Sequence, residues 1–244
     1  MEDCFETLIS SYLDSKVGIV EHFVSEELAQ HLVNRLFELK EQNLLKAAGI
    51  GNAAKLTQNS AIRSDAIYWL DRANNNEHEN AFLDQVDAFV AYLNRSCYTG
   101  ITGYEFHFAL FDKGSFYRKH LDQFQDNSSR QFSMITYLNE NWQPEDGGEL
   151  CIYDGDVAQK VTPTNRKTVF FKSNELVKKS SCIVHSGYGA GGSYVAIEQG
   201  TLTYNIETTI THNERTDEYE ESKPTLNDLP AKFYARDLFY KKIV

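Results

Sequence analysis

The stretch that decides the fold spans residues 104–122 and reads YEFHFALFDKGSFYRKHLD. In its first half, apolar residues at every second position alternate with residues such as Glu105 and His107. A period of two is typical of a strand with one buried face. Upstream of residue 100 the apolar residues recur at helical spacing instead, so we predict that the chain changes there from helices to strands.

Two helices are predicted before that change. The first begins after Ser25, whose hydroxyl can cap it, and continues to about Leu39 along one apolar stripe. The second extends from about Glu77 to Arg95. Residues 40–66 between them are mixed and polar, and no single element is predicted there.

Short strands separated by turns follow residue 103. Turn-forming runs such as Asp146-Gly147-Gly148 separate them. We predict these strands at residues 115–121, 131–138, 149–153, 167–171, 181–185, 194–197 and 201–208. Such a series after a helical half is typical of a jelly roll with helices packed outside, that is, an α+β fold. We expect a single domain over 1–244, with helical support over 1–99, a core over 100–209 and an extension over 210–244 that is a polar loop from residue 212 to 228.

Charge and composition exclude several classes of protein. The 244 residues include 24 basic and 35 acidic residues, for a formal net charge of −11. A nucleic-acid binder usually carries a basic patch, and the sequence has none. It also lacks the run of about 18 apolar residues of a membrane helix, and its acidic first residues do not resemble a secretory signal. The four cysteines form no CxxC pair. We therefore expect a cytoplasmic protein without a nucleic-acid or membrane partner, and its oligomeric state stays open.

The residues with the clearest chemical meaning are His120 and Asp122. Residues i and i+2 of a strand point to the same face, so an imidazole and a carboxylate reach one point there. They are two members of the two-histidine, one-carboxylate set that binds Fe(II) and leaves positions open for a cosubstrate and O2. The three-residue pattern is common by chance, and an ordinary surface histidine near an aspartate is its usual meaning.

Four segments around this pair give it a context. They are FDKGSFYRKHLD (111–122), RQFSMITYLNENW (130–142), GGEL (147–150) and TVFFKS (168–173). In order and spacing they resemble the 2-oxoglutarate/Fe(II)-dependent dioxygenase superfamily, in particular its prolyl 4-hydroxylase-like subgroup. The resemblance covers about residues 100–176. It implies a double-stranded β-helix that hydroxylates a C–H bond, with a prolyl residue of a protein or peptide as the suggested substrate.

The resemblance also assigns roles to individual residues. His120 and Asp122 match the first two iron ligands, and Tyr137 matches the tyrosine that helps to hold the distal carboxylate of 2-oxoglutarate. A buried core aromatic is the alternative for Tyr137. The implied cofactors are Fe(II), with 2-oxoglutarate and O2 as cosubstrates, and a role for ascorbate stays open. No catalytic residue beyond the metal ligands is expected, and Phe111 stands where the family often has a tyrosine.

The third iron ligand is less clear, because the sequence departs from the family after Phe171. The family places its second histidine a few residues beyond the FFxS strand, where this chain has Lys178 and Lys179. A protonated lysine is a poor metal ligand. The next histidine is His185, which ends a predicted strand, and we predict it as the third ligand.

A second departure concerns the cation that the family uses to hold the far carboxylate of 2-oxoglutarate. The chain has no Lys or Arg between Lys179 and Arg215. Three alternatives follow. A basic residue from elsewhere supplies the charge, with Lys172, Lys178, Lys179 and Arg130 as the candidates. Or the protein binds metal without using 2-oxoglutarate, or has become a catalytically inactive barrel that serves as a binding module. Or the sequence after about Leu176 is not the family's own, through divergence or an altered reading frame.

Overall fold

The computed structural model describes residues 1–48, 63–122, 130–154 and 157–173, and the backbone of later segments at 178–181, 193–198, 202–203, 209–213 and 218–222. The other residues, including the predicted ligand His185, lie outside the described part. The described helices are α1 (Glu2–Ser15), α2 (Glu26–Glu41) and α3 (Glu77–Ser96). The described strands are β1 (Val17–Val20), β2 (Lys46–Ala47), β3 (Ala66–Leu70), β4 (Phe106–Asp112), β5 (Tyr117–His120), β6 (Arg130–Tyr137), β7 (Leu150–Asp154), β8 (Val157–Val161), β9 (Thr168–Lys172), β10 (Lys178–Ser181), β11 (Ser193–Glu198), β12 (Leu202–Thr203), β13 (Thr209–Asn213) and β14 (Glu218–Ser222).

The two predicted helices are present and begin at side-chain caps. The Ser25 hydroxyl accepts a hydrogen bond from the Leu28 amide at 3.1 Å at the start of α2. At the start of α3, the Asn76 side chain accepts from two backbone amides. Each cap satisfies amide groups that the first helical turn leaves without partners. None of the described helices combines the length and the apolar character that a bilayer-crossing segment requires.

The strands form two main antiparallel sheets. The larger has the order β1-β9-β6-β11-β4-β3-β2, with β12 paired to β6, and the smaller has the order β5-β10-β7-β8. Separately, β13 and β14 form a two-stranded ribbon in which His212 pairs with Tyr219. The prediction of a loop from residue 212 onward is therefore wrong where β13 and β14 lie. The β-branched run at the start of β13 favours a strand even where the sequence is polar.

The larger sheet has an apolar layer on each face. On β6, Phe132 and Met134 face the helices and belong to the core that α1, α2 and α3 complete. The alternate residues Ile135 and Tyr137 belong to a second cluster that also includes Ile152 of the smaller sheet. We call this second cluster the intersheet core. Helices on one face and a second sheet on the other place the intersheet core at the centre of the strand region.

The first hundred residues supply strands as well as helices, which the sequence did not predict. Strand β1 pairs with β9, and β3 pairs with β4. Helix α1 lies close against β1, since a Cβ added at Gly18 would stand 2.5 Å from the Leu8 carbonyl oxygen. The absence of a side chain at Gly18 therefore sets how closely the first helix approaches the sheet.

Candidate metal centre

His120 and Asp122 meet at the end of β5. The His120 Nε2 and Asp122 Oδ1 atoms are 3.1 Å apart. The Asp122 side chain is buried, with 3% of its surface exposed, and the His120 side chain is 15% exposed. The structure thus brings together the two side chains that the sequence pattern predicts at one point, in a place largely shielded from water.

The other nitrogen of His120 fixes which ring atom can bind a metal. Nδ1 lies 2.6 Å from the backbone carbonyl oxygen of Arg118. A carbonyl oxygen only accepts, so Nδ1 donates and carries a proton. In the neutral ring Nε2 then has a lone pair, which faces the carboxylate oxygen of Asp122. Two acceptors at this distance need a proton or a cation between them, and histidine ligands in metal sites are commonly oriented in this way.

The separation of the two atoms fits one metal ion. Nitrogen and oxygen ligands lie about 2.0–2.2 Å from a first-row divalent metal, so two ligands at a right angle are about 3 Å apart. The 3.1 Å between Nε2 and Oδ1 agrees with that value. Within the residues that the structure describes, no cluster of three or more His, Cys, Asp or Glu side chains could hold a metal. The predicted third ligand, His185, lies outside the described residues.

The Ser133 hydroxyl holds the Asp122 carboxylate, and the Ser173 hydroxyl contacts that of Ser133. Ser133 Oγ donates to Asp122 Oδ2 at 2.5 Å, and Ser133 Oγ and Ser173 Oγ are 2.9 Å apart. Both serines are buried. Because Oδ2 is engaged with Ser133, Oδ1 is the oxygen presented towards His120. Neither serine was predicted as a site residue, although Ser133 shares its face of β6 with Tyr137 and Ser173 ends the FFxS motif.

Tyr137 lies inside the molecule, on the face that the sequence pattern assigned to it. It is 1% exposed and packs in the intersheet core, where Phe111 also lies. Its amide donates to the Lys167 carbonyl oxygen at 2.9 Å, and its own carbonyl accepts from the Arg166 amide at 2.7 Å. The backbone at Tyr137 is therefore held firmly beside β9, while Phe111 offers no hydroxyl to the same region.

The structure places the basic residues that the sequence offered as partners for 2-oxoglutarate in different surroundings. Lys172 pairs with Phe132 across the β6–β9 ladder, so it shares the face that the helices cover rather than the intersheet face. The Arg130 guanidinium contacts Glu105 at 2.5 Å. On β10 only the backbone is described, and there Lys179 stands directly opposite His120.

The remaining motif residues shape the loops around this centre. The Trp142 indole donates to the Gly147 carbonyl oxygen at 2.8 Å, and the Asn139 amide donates to the Pro163 carbonyl oxygen at 2.7 Å. Gly147 and Gly148 have φ angles of 72° and 78°, which favour glycine. Trp142 and Asn139 thus hold the loop after β6 to the turn before β7 and to the segment before β9.

Comparison with known proteins shows which family the centre resembles. Residues 106–197, which extend from β4 to β11 and include His120, Asp122 and Tyr137, match the sequence model of the 2OG-Fe(II) oxygenase superfamily. This segment is similar to that superfamily, and the resemblance inferred from the four motif segments is confirmed. The family described in this way uses Fe(II), 2-oxoglutarate and O2. The matched segment contains the whole centre described above.

Individual relatives agree with this assignment. A Pseudomonas putida prolyl-4-hydroxylase crystal structure is 27% identical, has a TM-score of 0.71, and is matched over 82% of this chain and 100% of that one. A prolyl hydroxylase from Trichoplax adhaerens, in complex with a hypoxia inducible factor peptide fragment, also has a TM-score of 0.71, at 19% identity over 83% of this chain and 90% of that one, and shows the fold alone. A PKHD-type hydroxylase from Synechocystis, described as uncharacterized, is 23% identical over 75% of this chain, which spans 64% of that protein's length.

Proposed function

We propose that this protein is an Fe(II)- and 2-oxoglutarate-dependent dioxygenase with a double-stranded β-helix core, and that it hydroxylates a C–H bond of a prolyl residue in a protein or peptide. The observation that carries the proposal is the convergence of His120 Nε2 and Asp122 Oδ1 at a metal-compatible separation of 3.1 Å. The position of this pair within the matched segment 106–197 supports it.

His120 and Asp122 would hold the metal with His185 as the third ligand. Three protein ligands leave three positions for a cosubstrate and O2. Bound Fe(II) supplies the oxidising chemistry of the overall reaction, in which 2-oxoglutarate, O2 and a C–H bond give succinate, CO2 and an alcohol. The protein contributes the orientation of its ligands and a buried site, since Asp122 and Tyr137 are both almost fully withdrawn from water.

For the far carboxylate of 2-oxoglutarate, we propose two partners from the chain. Tyr137 lies in the intersheet core and offers a hydroxyl. Lys179 is the candidate cation whose backbone stands opposite His120, and a buried carboxylate needs such a partner. We expect Lys179→Met to raise the KM for 2-oxoglutarate at least about tenfold, which a loss of roughly 1.4 kcal/mol in binding produces. Lys160→Met, at a side chain that is 63% exposed, is the matched control and should leave the KM unchanged.

A prolyl residue is proposed as the substrate on two grounds. The Pseudomonas putida protein, 27% identical to this chain, is a prolyl-4-hydroxylase. The protein from Trichoplax adhaerens is in complex with a peptide, which supports a protein or peptide substrate rather than a free small molecule.

The test is formation of succinate and of a product 16 mass units heavier from proline-containing peptides, with Fe(II) and 2-oxoglutarate supplied. We expect both products from the wild-type protein and neither from Asp122→Ala. Peptides in which alanine replaces proline should give no added oxygen. Wild-type protein that binds metal but releases no succinate would overturn the proposed activity.

A second candidate is a metal-binding or binding-only member of the same fold that does not use 2-oxoglutarate. Two observations favour it: no Lys or Arg occurs between Lys179 and Arg215, and Phe111 supplies no hydroxyl to the intersheet core. Its distinguishing result is metal-dependent thermal stabilisation that 2-oxoglutarate does not increase, because only a ligand that binds the folded state raises its stability.

A further inference from the structure

A buried ion pair stands beside the metal centre in a segment that the sequence left unassigned. The Arg63 Nε donates to Asp65 Oδ1 at 2.7 Å, and a second guanidinium nitrogen contacts Asp65 Oδ2. The two side chains are only 4% and 0% exposed. This is a bidentate pair, which is the most directional way in which an arginine and a carboxylate can meet.

Stability alone does not account for such a pair. Removing two charges from water costs several kcal/mol for each ion, and apolar residues of similar volume often serve as well or better. What distinguishes this pair is that its guanidinium group lies against an aromatic ring. The Arg63 Cζ atom lies 4.2 Å from the centre of the Tyr117 ring, within the range of a cation–π contact.

The pair is attached to the same segment by its backbone. Arg63 and Tyr117 form an antiparallel bridge. The Ser64 amide donates to the Phe116 carbonyl oxygen at 3.1 Å, and the Phe116 amide donates to the Ser64 hydroxyl at 3.1 Å. Arg63 therefore has a fixed position relative to the residues that lead into β5.

The stack continues from Tyr117 to the proposed ligand. The rings of Tyr117 and His120 are parallel within 16°, with their centres 3.6 Å apart. Tyr117 is itself 7% exposed and packs in the intersheet core. The Arg63 guanidinium thus contacts the Tyr117 ring, which is stacked on the His120 imidazole.

We propose that Arg63 and Asp65 are positioning residues for the metal centre: through Tyr117 they hold the His120 imidazole at the rotation in which Nε2 faces Asp122. The inference rests on the proposed function, because it supposes that His120 binds the metal. A ligand ring needs this support here, since the hydrogen bond from Nδ1 to the Arg118 carbonyl oxygen lies at the exposed side of the ring, where water competes. The stacked Tyr117 ring limits the rotation of the same imidazole on its buried side.

The test measures the affinity of the metal-free protein for Co(II), read from the ligand-field absorption of the bound ion, together with the urea midpoint. The principal variant is Arg63→Met with Asp65→Leu, which removes both charges and leaves neither ion unpaired. The control makes the same two changes at Arg35 and Glu79, a second pair, 3.0 Å apart, between α2 and α3, in which Glu79 is fully buried and Arg35 is 17% exposed. Arg63→Lys is a further variant that keeps the charge of the pair but lacks the planar group.

We expect the principal variant to bind Co(II) about tenfold to a hundredfold more weakly, the usual effect of losing a group that orients a metal ligand, and to show an altered absorption band. Arg63→Lys should weaken binding in the same direction. The control pair should leave affinity and spectrum unchanged, whatever its urea midpoint.

Two results would overturn the inference, and only the second would also overturn the proposed function. Wild-type affinity in the principal variant and in Arg63→Lys would show that the pair is merely structural, with the metal site intact. Failure of the wild-type protein itself to bind Co(II) would remove the proposed function as well. If the principal variant does not fold, the affinity of Arg63→Lys decides between support and refutation.

Discussion

Replacing Ser133 by alanine should weaken metal binding without touching a metal ligand. The variant removes the hydroxyl that donates to Asp122 Oδ2 at 2.5 Å. Without this donor the carboxylate loses a hydrogen bond that helps to hold Oδ1 towards His120. The Ser173 hydroxyl stands 2.9 Å from that of Ser133 and belongs to the same group of hydrogen bonds.

The size of the effect follows from two independent estimates. A hydrogen bond to a charged group contributes about 1.5–3 kcal/mol. Loss of an outer partner of a metal ligand typically costs about tenfold to a hundredfold in metal affinity, which corresponds to about 1.4–2.7 kcal/mol. The two ranges overlap, so we expect Ser133→Ala to raise the Kd for Co(II) by about one to two orders of magnitude.

The matched control for Ser133→Ala is Thr136→Val. Thr136 is also buried on β6, and its hydroxyl is 2.7 Å from that of Thr168, but it lies on the face that carries Met134 and the helices. Losing this neutral hydrogen bond should cost roughly 1 kcal/mol of folding stability and leave the Kd unchanged. Calorimetric titration of both variants measures the comparison. Equal Kd values for wild type and Ser133→Ala would refute the reasoning that Ser133 orients Asp122.

Three further outcomes are expected elsewhere in the chain. Glu79→Gln should lower the free energy of unfolding by about 1–3 kcal/mol in urea titrations, because it removes the charge of the fully buried carboxylate 3.0 Å from the Arg35 guanidinium and leaves the exposed Glu38 carboxylate, 3.7 Å away, as the partner of that guanidinium; an unchanged free energy of unfolding would contradict this. Gly18→Ala should cost about 1–3 kcal/mol in the same assay, since the new Cβ meets the Leu8 carbonyl oxygen at 2.5 Å, and an unchanged urea midpoint would show that α1 moves freely. His185→Ala should weaken Co(II) binding by more than the roughly hundredfold upper limit for an outer partner, and wild-type affinity would exclude His185 as a ligand.

The parts of the fold that the sequence predicts are those whose pattern is local. Ser25 marks the start of α2 because its cap joins residues three apart. Strand β4 is recognised because polar and apolar residues alternate over residues 104–108, although both of its faces are buried in the structure. Strand β1 is different: Val17 and Val20 are both buried, so its short apolar run shows no alternation. A strand covered on both faces cannot be told from a helix segment by periodicity alone.

The same limit of local sequence patterns applies to the residues of the metal centre. His120, Asp122 and Tyr137 are identified by spacing along the chain and by family motifs. Arg63 and Asp65 lie in a polar stretch that resembles a surface loop, yet in the structure they are buried beside the distant segment at residues 115–117. Charged residues are almost never fully buried unless they are paired, and that pairing depends on long-range contacts that no local pattern records.

The most direct test of the central claim is a titration of the metal-free protein with Mn(II), in which electron paramagnetic resonance counts the free ion. If His120 and Asp122 share one metal, the wild-type chain should bind about one ion, and His120→Ala and Asp122→Ala should each weaken that binding by more than about a hundredfold, beyond the effect of any outer partner. Binding of equal strength in the wild-type protein and in both variants would contradict the assignment of this pair as metal ligands.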